Sequence, residues 1–236
     1  MNSNNDPQFR TTQWSIVLEA RGESATRALE QLCQCYWYPL YAFVRRKGHR
    51  AAEAQDLTQE FFSRLLEKRW LNAVERERGK FRTFLMMAMK RFLANEWDHS
   101  HRLKRGGQNA VLSLDAIEAE KRFEAESANT SSDPSLLYDR GWALTLLDRS
   151  LKIVEAEQDP EKFAALKPSL ISGKGDFDCS VAAQALGVSD GTARVAVHRL
   201  RKRYREILRN EIAQTVSGPS EIDDEVLYLI NILAKG

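Results

Sequence analysis

Apolar residues recur along this chain at spacings of three and four, the period of one helical face, and no alternating β-branched run of strand length interrupts them. The pattern predicts an all-α fold. A first helix is expected over Gln13–Arg21. A second runs from Ser24 to about Lys47, with Leu29, Leu32, Tyr36, Leu40, Phe43 and Val44 on one face. Pro39 lies inside that pattern and should kink or divide it, because it brings no N–H to the helix; Gly48 then ends it. Further helices are expected at about Ala51–Trp70, Phe81–His101, Leu136–Glu157 and Pro160–Ile171.

Between Gln108 and Pro134 the periodicity fades into a polar, acidic, serine-rich stretch ending in Asn129-Thr130-Ser131-Ser132-Asp133-Pro134. That composition predicts a linker, solvated and acidic, with a short helix at Asp115–Ala125. After a break at Ser217-Gly218-Pro219, a last amphipathic helix, Ser220–Leu233, sets Ile222, Val226, Leu229, Ile230 and Leu233 on one stripe. Such a stripe needs cover, from the chain's own domains or from another protein, and the chain's own domains are the expected cover.

Residues 180–205, SVAAQALGVSDGTARVAVHRLRKRYR, carry the strongest functional signal. Ser180 is expected to cap a short helix ending at Leu186, and Gly187 stands where a left-handed stop residue belongs. Ser189 is expected to cap the next helix, with Asp190 in its first turn. That helix places Ala193, Val197, Leu200, Tyr204 and Ile207 on one face, and Arg194, His198, Arg199 and Lys202 on another. A short helix, a glycine-containing turn and a basic second helix predict a helix-turn-helix, whose second helix enters the DNA major groove.

Charge distribution adds a second contact. The 236 residues carry a net charge of only +2. Basic residues concentrate in Arg76–Arg105 and Arg194–Arg209, with acid between them (Asp115, Glu118, Glu120, Glu124, Glu126) and at the end (Glu221, Asp223, Asp224, Glu225). Two basic segments imply two separate contacts on a polyanion. Three cysteines without framework spacing, no secretory leader and no bilayer-length apolar run predict a cytoplasmic protein with no membrane partner. No phosphate-cradling glycine loop and no His-Glu-x-x-His occurs, so no enzyme is expected. Cys33-x-Cys35 and His99-x-His101 each lack a convincing second pair, and neither a metal nor a cofactor is expected.

Two further stretches, AAEAQDLTQEFFSRLLEK at Ala51–Lys68 and FRTFLMMAMKRFLANEWD at Phe81–Asp98, make the reading specific. With the helix-turn-helix behind them, their order and spacing over about residues 25–215 resemble bacterial sigma factors of the sigma-70 family, in the extracytoplasmic-function group. The resemblance implies sigma domain 2 at 1–107, an acidic linker at 108–135, sigma domain 4 at 136–217 and a tail helix at 218–236. It implies core RNA polymerase and promoter DNA as partners, with an anti-sigma factor or a Ser/Thr kinase as regulatory candidates. The alternative is a helix-turn-helix regulator that acts without being a polymerase subunit.

Carried over by position, Asp56, Gln59 and Glu60 would face the clamp helices of the polymerase. Asp56 and Glu60 stand at i and i+4, so their carboxylates share one face. Arg82, Lys90, Arg91, Asn95 and Trp97 would meet the promoter's "−10" element, with Arg102, Lys104 and Arg105 near phosphate; Trp97 is a candidate for stacking on an unpaired base, with a place in the core as the alternative. Ser189, Thr192, Arg194, His198, Arg199, Lys202 and Arg203 would meet the "−35" element. Arginine suits guanine there, while Arg201, Lys202, Arg203 and Arg205 are better placed to hold phosphates. Three positions depart from the family pattern. Gln55 stands where a second acid is common. Met89-Lys90-Arg91 replaces an alanine-arginine-asparagine run. Val195 and Ala196 replace polar residues, offering apolar contact to thymine methyls in place of polar base contacts. Beside Gln55, Thr58 is a phosphorylation candidate, since a phosphate would restore about −1.5 to −2 charges.

Overall fold

A computed structural model describes residues 33, 35–66, 80–102, 114–127, 133–173 and 176–234. Every regular element among the described residues is helical. In chain order they are α1 (Trp37–Arg46), α2 (Ala51–Leu66), α3 (Phe81–Arg102), α4 (Leu114–Ser127), α5 (Pro134–Ala156), α6 (Pro160–Leu166), α7 (Pro168–Ile171), α8 (Cys179–Leu186), α9 (Asp190–Ala213), a 3-10 turn (Pro219–Glu221) and α10 (Ile222–Ala234). The helix expected at 13–21, the beginning of the second and residues 67–70 of the third lie outside the described residues. Two compact units result: Met1–Thr145 with Ala213–Gly236, and Leu146–Ile212. The first takes in the start of α5 and the C-terminal segment, where a separate second domain and tail were expected.

In the first unit, the division expected at Pro39 falls just before it. Tyr36 is the N-cap of α1, so Pro39 sits in the first turn, where a missing N–H leaves no bond unmade. Gly48, at φ 96°, turns the chain after α1. The core is aromatic. Tyr36, Tyr41, Phe43, Phe61, Phe81 and Phe92 are fully buried, with Leu40, Leu65, Leu85 and Met89 between them. Tyr36 meets Phe81 edge-on at 5.0 Å and stacks on Trp142 at 6.5 Å; Phe61 meets Phe92 at 5.8 Å. Each such side chain contributes about 1.5–3 kcal/mol through burial.

The acidic linker departs from expectation. Its helix is present, slightly longer than predicted, but α4 packs on α1 instead of lying free in solvent. Glu120 receives Arg45 at both oxygens (Nε 2.8 Å, Nη2 2.5 Å) and the Tyr41 hydroxyl at 2.5 Å. Glu126 accepts from Tyr38 at 2.7 Å and pairs with Arg46 at 3.7 Å. Arg45 and Arg46 lie over the Phe123 ring, and Arg122 lies over Tyr38. Two acids of this segment, Glu120 and Glu126, thus pair with arginines of α1, while Glu118 and Glu124 stay exposed.

The C-terminal segment closes the same unit. The Phe81 amide donates to the Thr215 carbonyl at 3.1 Å. On α10, Ile222 and Leu229 are buried as the stripe predicted, and Val226 and Leu233 are partly covered. Ile230 departs from the stripe: it is 54% exposed. Glu225, read from sequence as part of an acidic end, is completely buried.

In the second unit, Val154, Phe163, Leu166, Ala182, Val197, Leu200 and Ile207 form one core cluster. The helix expected at Pro160–Ile171 is two, because Pro168 cannot continue the hydrogen-bond ladder of α6 and starts α7 instead. Asp159 caps α6 by accepting from the Lys162 amide at 3.0 Å. Tyr204 donates to the Leu147 carbonyl at 3.2 Å, and Arg149 pairs with Glu211 at 2.6 Å.

Candidate nucleic-acid interface

Three surfaces hold the residues singled out by sequence. The first is the outer face of α2. Asp56, Gln59 and Glu60 are all exposed there. Glu60 shares Arg64 (2.6 Å) with Glu96 of α3 (2.7 Å), which ties the acidic face to the neighbouring helix. Gln55 is buried, so the position lacking an acid points into the unit and subtracts nothing from the exposed charge. Thr58 is fully buried and donates to the Ala54 carbonyl at 2.7 Å. A kinase cannot reach a hydroxyl in that position, and the expected phosphorylation site is withdrawn.

The second surface is the outer face of α3, where Lys90, Arg91 and Asn95 are exposed. Lys90 reaches Ser135 Oγ at 3.2 Å. Arg82 is not part of this face. It is buried, with Nε 2.5 Å from Glu225 and Nη1 3.0 Å from Asp139, and its guanidinium lies 4.0 Å from the centre of the Tyr228 ring. Burial works against its charge, but the bond and charge of Glu225, with Asp139, outweigh that and raise its pKa. Trp97 and Arg102 belong to α3, while their side chains, and all of Lys104 and Arg105, lie outside the described residues.

The third surface belongs to α8 and α9. Gly187 adopts φ 63° and ψ 32°, the left-handed stop that the sequence predicted. The cap of α8 is Asp178 and not Ser180: the Asp178 carboxylate accepts from the Ser180 amide at 2.9 Å, and its hydrogen bonds to Ser180 hold its pKa down. Ser189 caps α9 by accepting from the Thr192 amide at 3.3 Å, and its hydroxyl lies 2.9 Å from that of Thr192. With the inward face of α9 buried, Arg194, His198, Arg199 and Lys202 are exposed together. Val195 is 50% exposed and, with Val188, Leu186, Thr192 and Arg199, lines a cleft of about 500 Å³ also bounded by Gln158 and Lys162.

Two arginines of α9 have structural partners that sequence did not reveal. Arg201 donates to the carbonyls of Ser169 (2.9 Å), Ser172 (3.1 Å) and Gly173 (3.3 Å), satisfying the end of α7. That commitment removes it from the expected phosphate set. Arg203 makes a two-pronged bond to Glu157 (2.8 and 2.7 Å) and lies 3.6 Å from Glu206, so its charge is already balanced. Glu157, Asp139 and Glu225 are the residues that sequence reasoning missed, because a carboxylate's distant arginine leaves no mark on local spacing.

Exposed acid on α2, exposed cations on α3 and a capped basic helix at α9 are suited to a protein partner and a polyanion. Residues 33–102, from the entry to α1 through the end of α3, match the family model of Sigma-70 region 2. No curated protein and no solved structure matches the chain. The match covers 70 of the 236 residues, so the likeness to sigma-70 proteins is that of the segment holding α1–α3.

Proposed function

We propose that the protein is a sigma factor of the extracytoplasmic-function group, working in the cytoplasm as a subunit of RNA polymerase. The region 2 match across α1–α3 carries this reading. Asp56, Gln59 and Glu60 dock on the polymerase, where exposed carboxylates meet basic groups of the partner. Lys90, Arg91 and Asn95 of α3 meet the upstream "−10" element and help open it, with Trp97 offering a stacking surface. The α8–α9 pair acts as a helix-turn-helix on the "−35" element. Arg194, His198 and Arg199 approach base edges, Val195 offers apolar contact to thymine methyls, and Lys202 holds phosphate.

The test is transcription from a fragmented genomic library with core polymerase and the purified protein, with start sites mapped. Promoter-dependent starts that vanish in an Asp56→Ala, Glu60→Ala double variant are expected. Duplex binding without any polymerase-dependent transcription would refute the sigma reading in favour of a free-standing regulator.

A further inference from the structure

Glu225 is the most unusual charge in the first unit. Its carboxylate is completely buried and holds two cations, Arg82 and Lys80, each at 2.5 Å. Both cations stand at the start of α3, the helix whose outer face carries Lys90 and Arg91. Lys80 remains 27% exposed at the rim of the cluster. The Tyr228 hydroxyl donates to Asp139 at 2.5 Å, so α10 supplies a second bond to the group that also holds Arg82.

Apolar anchorage of α10 is modest. Among its 13 residues only Ile222 and Leu229 are buried apolar side chains, while Leu227 and Ile230 are exposed. Full burial of two such side chains is worth about 3–6 kcal/mol. The remaining buried residue is Glu225 itself, and a buried ion pair gains little over its desolvation cost, although stripping one partner away is severely unfavourable. Such a contact is hard to break in isolation, and a second anion in the carboxylate's place removes the cost of leaving the two cations unpaired.

We propose that Lys80 and Arg82 form a latched phosphate site for nucleic acid, with the Glu225 carboxylate as its resident anion. A backbone phosphate entering beside Lys80 replaces Glu225 on the two cations, and α10 swings away from the Ser217–Pro219 turn. Closed, the tail withholds two cations from the DNA face; open, it adds them to Lys90 and Arg91. The inference rests on the reading that α3 faces DNA, and it would stand without any claim about promoter choice.

Hydrogen exchange of the full chain, alone and saturated with a short DNA duplex, reads the latch directly. Heparin serves as a charge control. Duplex is expected to speed exchange of the α10 amides at least about tenfold in the wild type. Glu225→Gln should exchange fast without duplex and bind duplex several-fold more tightly than the wild type, with the same salt slope. The Arg82→Gln, Glu225→Gln double variant should show fast exchange that duplex does not change, and should have a shallower slope. Bound duplex that leaves α10 exchange unchanged would overturn the proposal, as would release by heparin and not by DNA. If Glu225→Gln fails to fold, the wild-type comparison alone decides. Loss of promoter-dependent transcription would strike the sigma reading and leave the exchange result intact.

Discussion

Glu120→Gln tests whether the acidic segment is a packed element. The substitution keeps the shape of the side chain and removes its charge. In the wild type the carboxylate takes two bonds from Arg45 and one from Tyr41, with the Arg45 and Glu120 side chains only 20% and 16% exposed. A hydrogen bond to a charged group contributes about 1.5–3 kcal/mol net, and Arg45 keeps its bond to the His49 carbonyl. The expected loss at neutral pH is therefore about 2 kcal/mol. The Arg45 bond is also the main reason that the Glu120 carboxyl titrates below its ordinary 4.5, with burial opposing it. Between the folded and unfolded values the unfolded chain binds the proton more readily. This group's contribution is therefore fully present above 4.5 and is lost as pH falls through the lowered folded value. The stability gap between wild type and variant should be constant near neutrality and close on acidification. Urea unfolding followed by tryptophan fluorescence measures it in the right place, since all five tryptophans precede Thr145 and so report the first unit. A neutral-pH gap under about 0.5 kcal/mol, the range of an exposed ion pair, would refute the packing argument. A gap that acid leaves unchanged would refute its electrostatic basis.

Thr58→Glu should lower the first unit's unfolding midpoint sharply, because an unpaired buried carboxylate costs several kcal/mol; mass spectrometry after kinase treatment of the folded protein should find no phosphate at Thr58. Gly187→Ala forces a side chain into the left-handed region and should cost about 1–2 kcal/mol, read by calorimetry of the second unit. Arg199→Ala should weaken promoter binding by the polymerase-bound protein by about 1–3 kcal/mol and relax sequence preference at one position of the upstream element, read by binding to a set of single-base variants. Arg201→Ala should instead destabilise the second unit by about 1–3 kcal/mol, because three carbonyls lose their donor.

Helix positions were legible in the sequence because helical period is a local property. The starts of α2 and α9, the bounds of α3 and, to within two residues, those of α10 follow from spacing and turn chemistry, as do the left-handed Gly187 and the inward face of α9. Thr58 was legible too, had its register been followed: Ala54, Thr58, Phe61 and Leu65 fall on one buried stripe. What spacing could not reveal is which cations are already neutralised. Arg82 and Glu225 are 143 residues apart, and Arg45 and Glu120 are 75 apart. A run of glutamates has the same composition whether it meets solvent or a row of arginines, so α4 read as a tether. The partners of Arg82, Arg201 and Arg203 were hidden for the same reason. The exposed remainder, Lys90 and Arg91 on α3 with Arg194, His198 and Arg199 on α9, is a shorter and sharper set.

Because Glu225 completes a cluster begun at Arg82, the first unit is finished late during synthesis. The ribosome must add another 143 residues after Arg82 before its carboxylate partner exists, roughly 7–30 s at 5–20 residues per second. During that interval the nascent chain carries the α3 helix with its cations unlatched. A message broken before the codon for Glu225 would yield a chain with helices α1–α3 but no means of closing over them. A chain that stops before Glu225 would keep Lys80 and Arg82 without the carboxylate that holds them, so the charge of this cluster depends on how far synthesis has run.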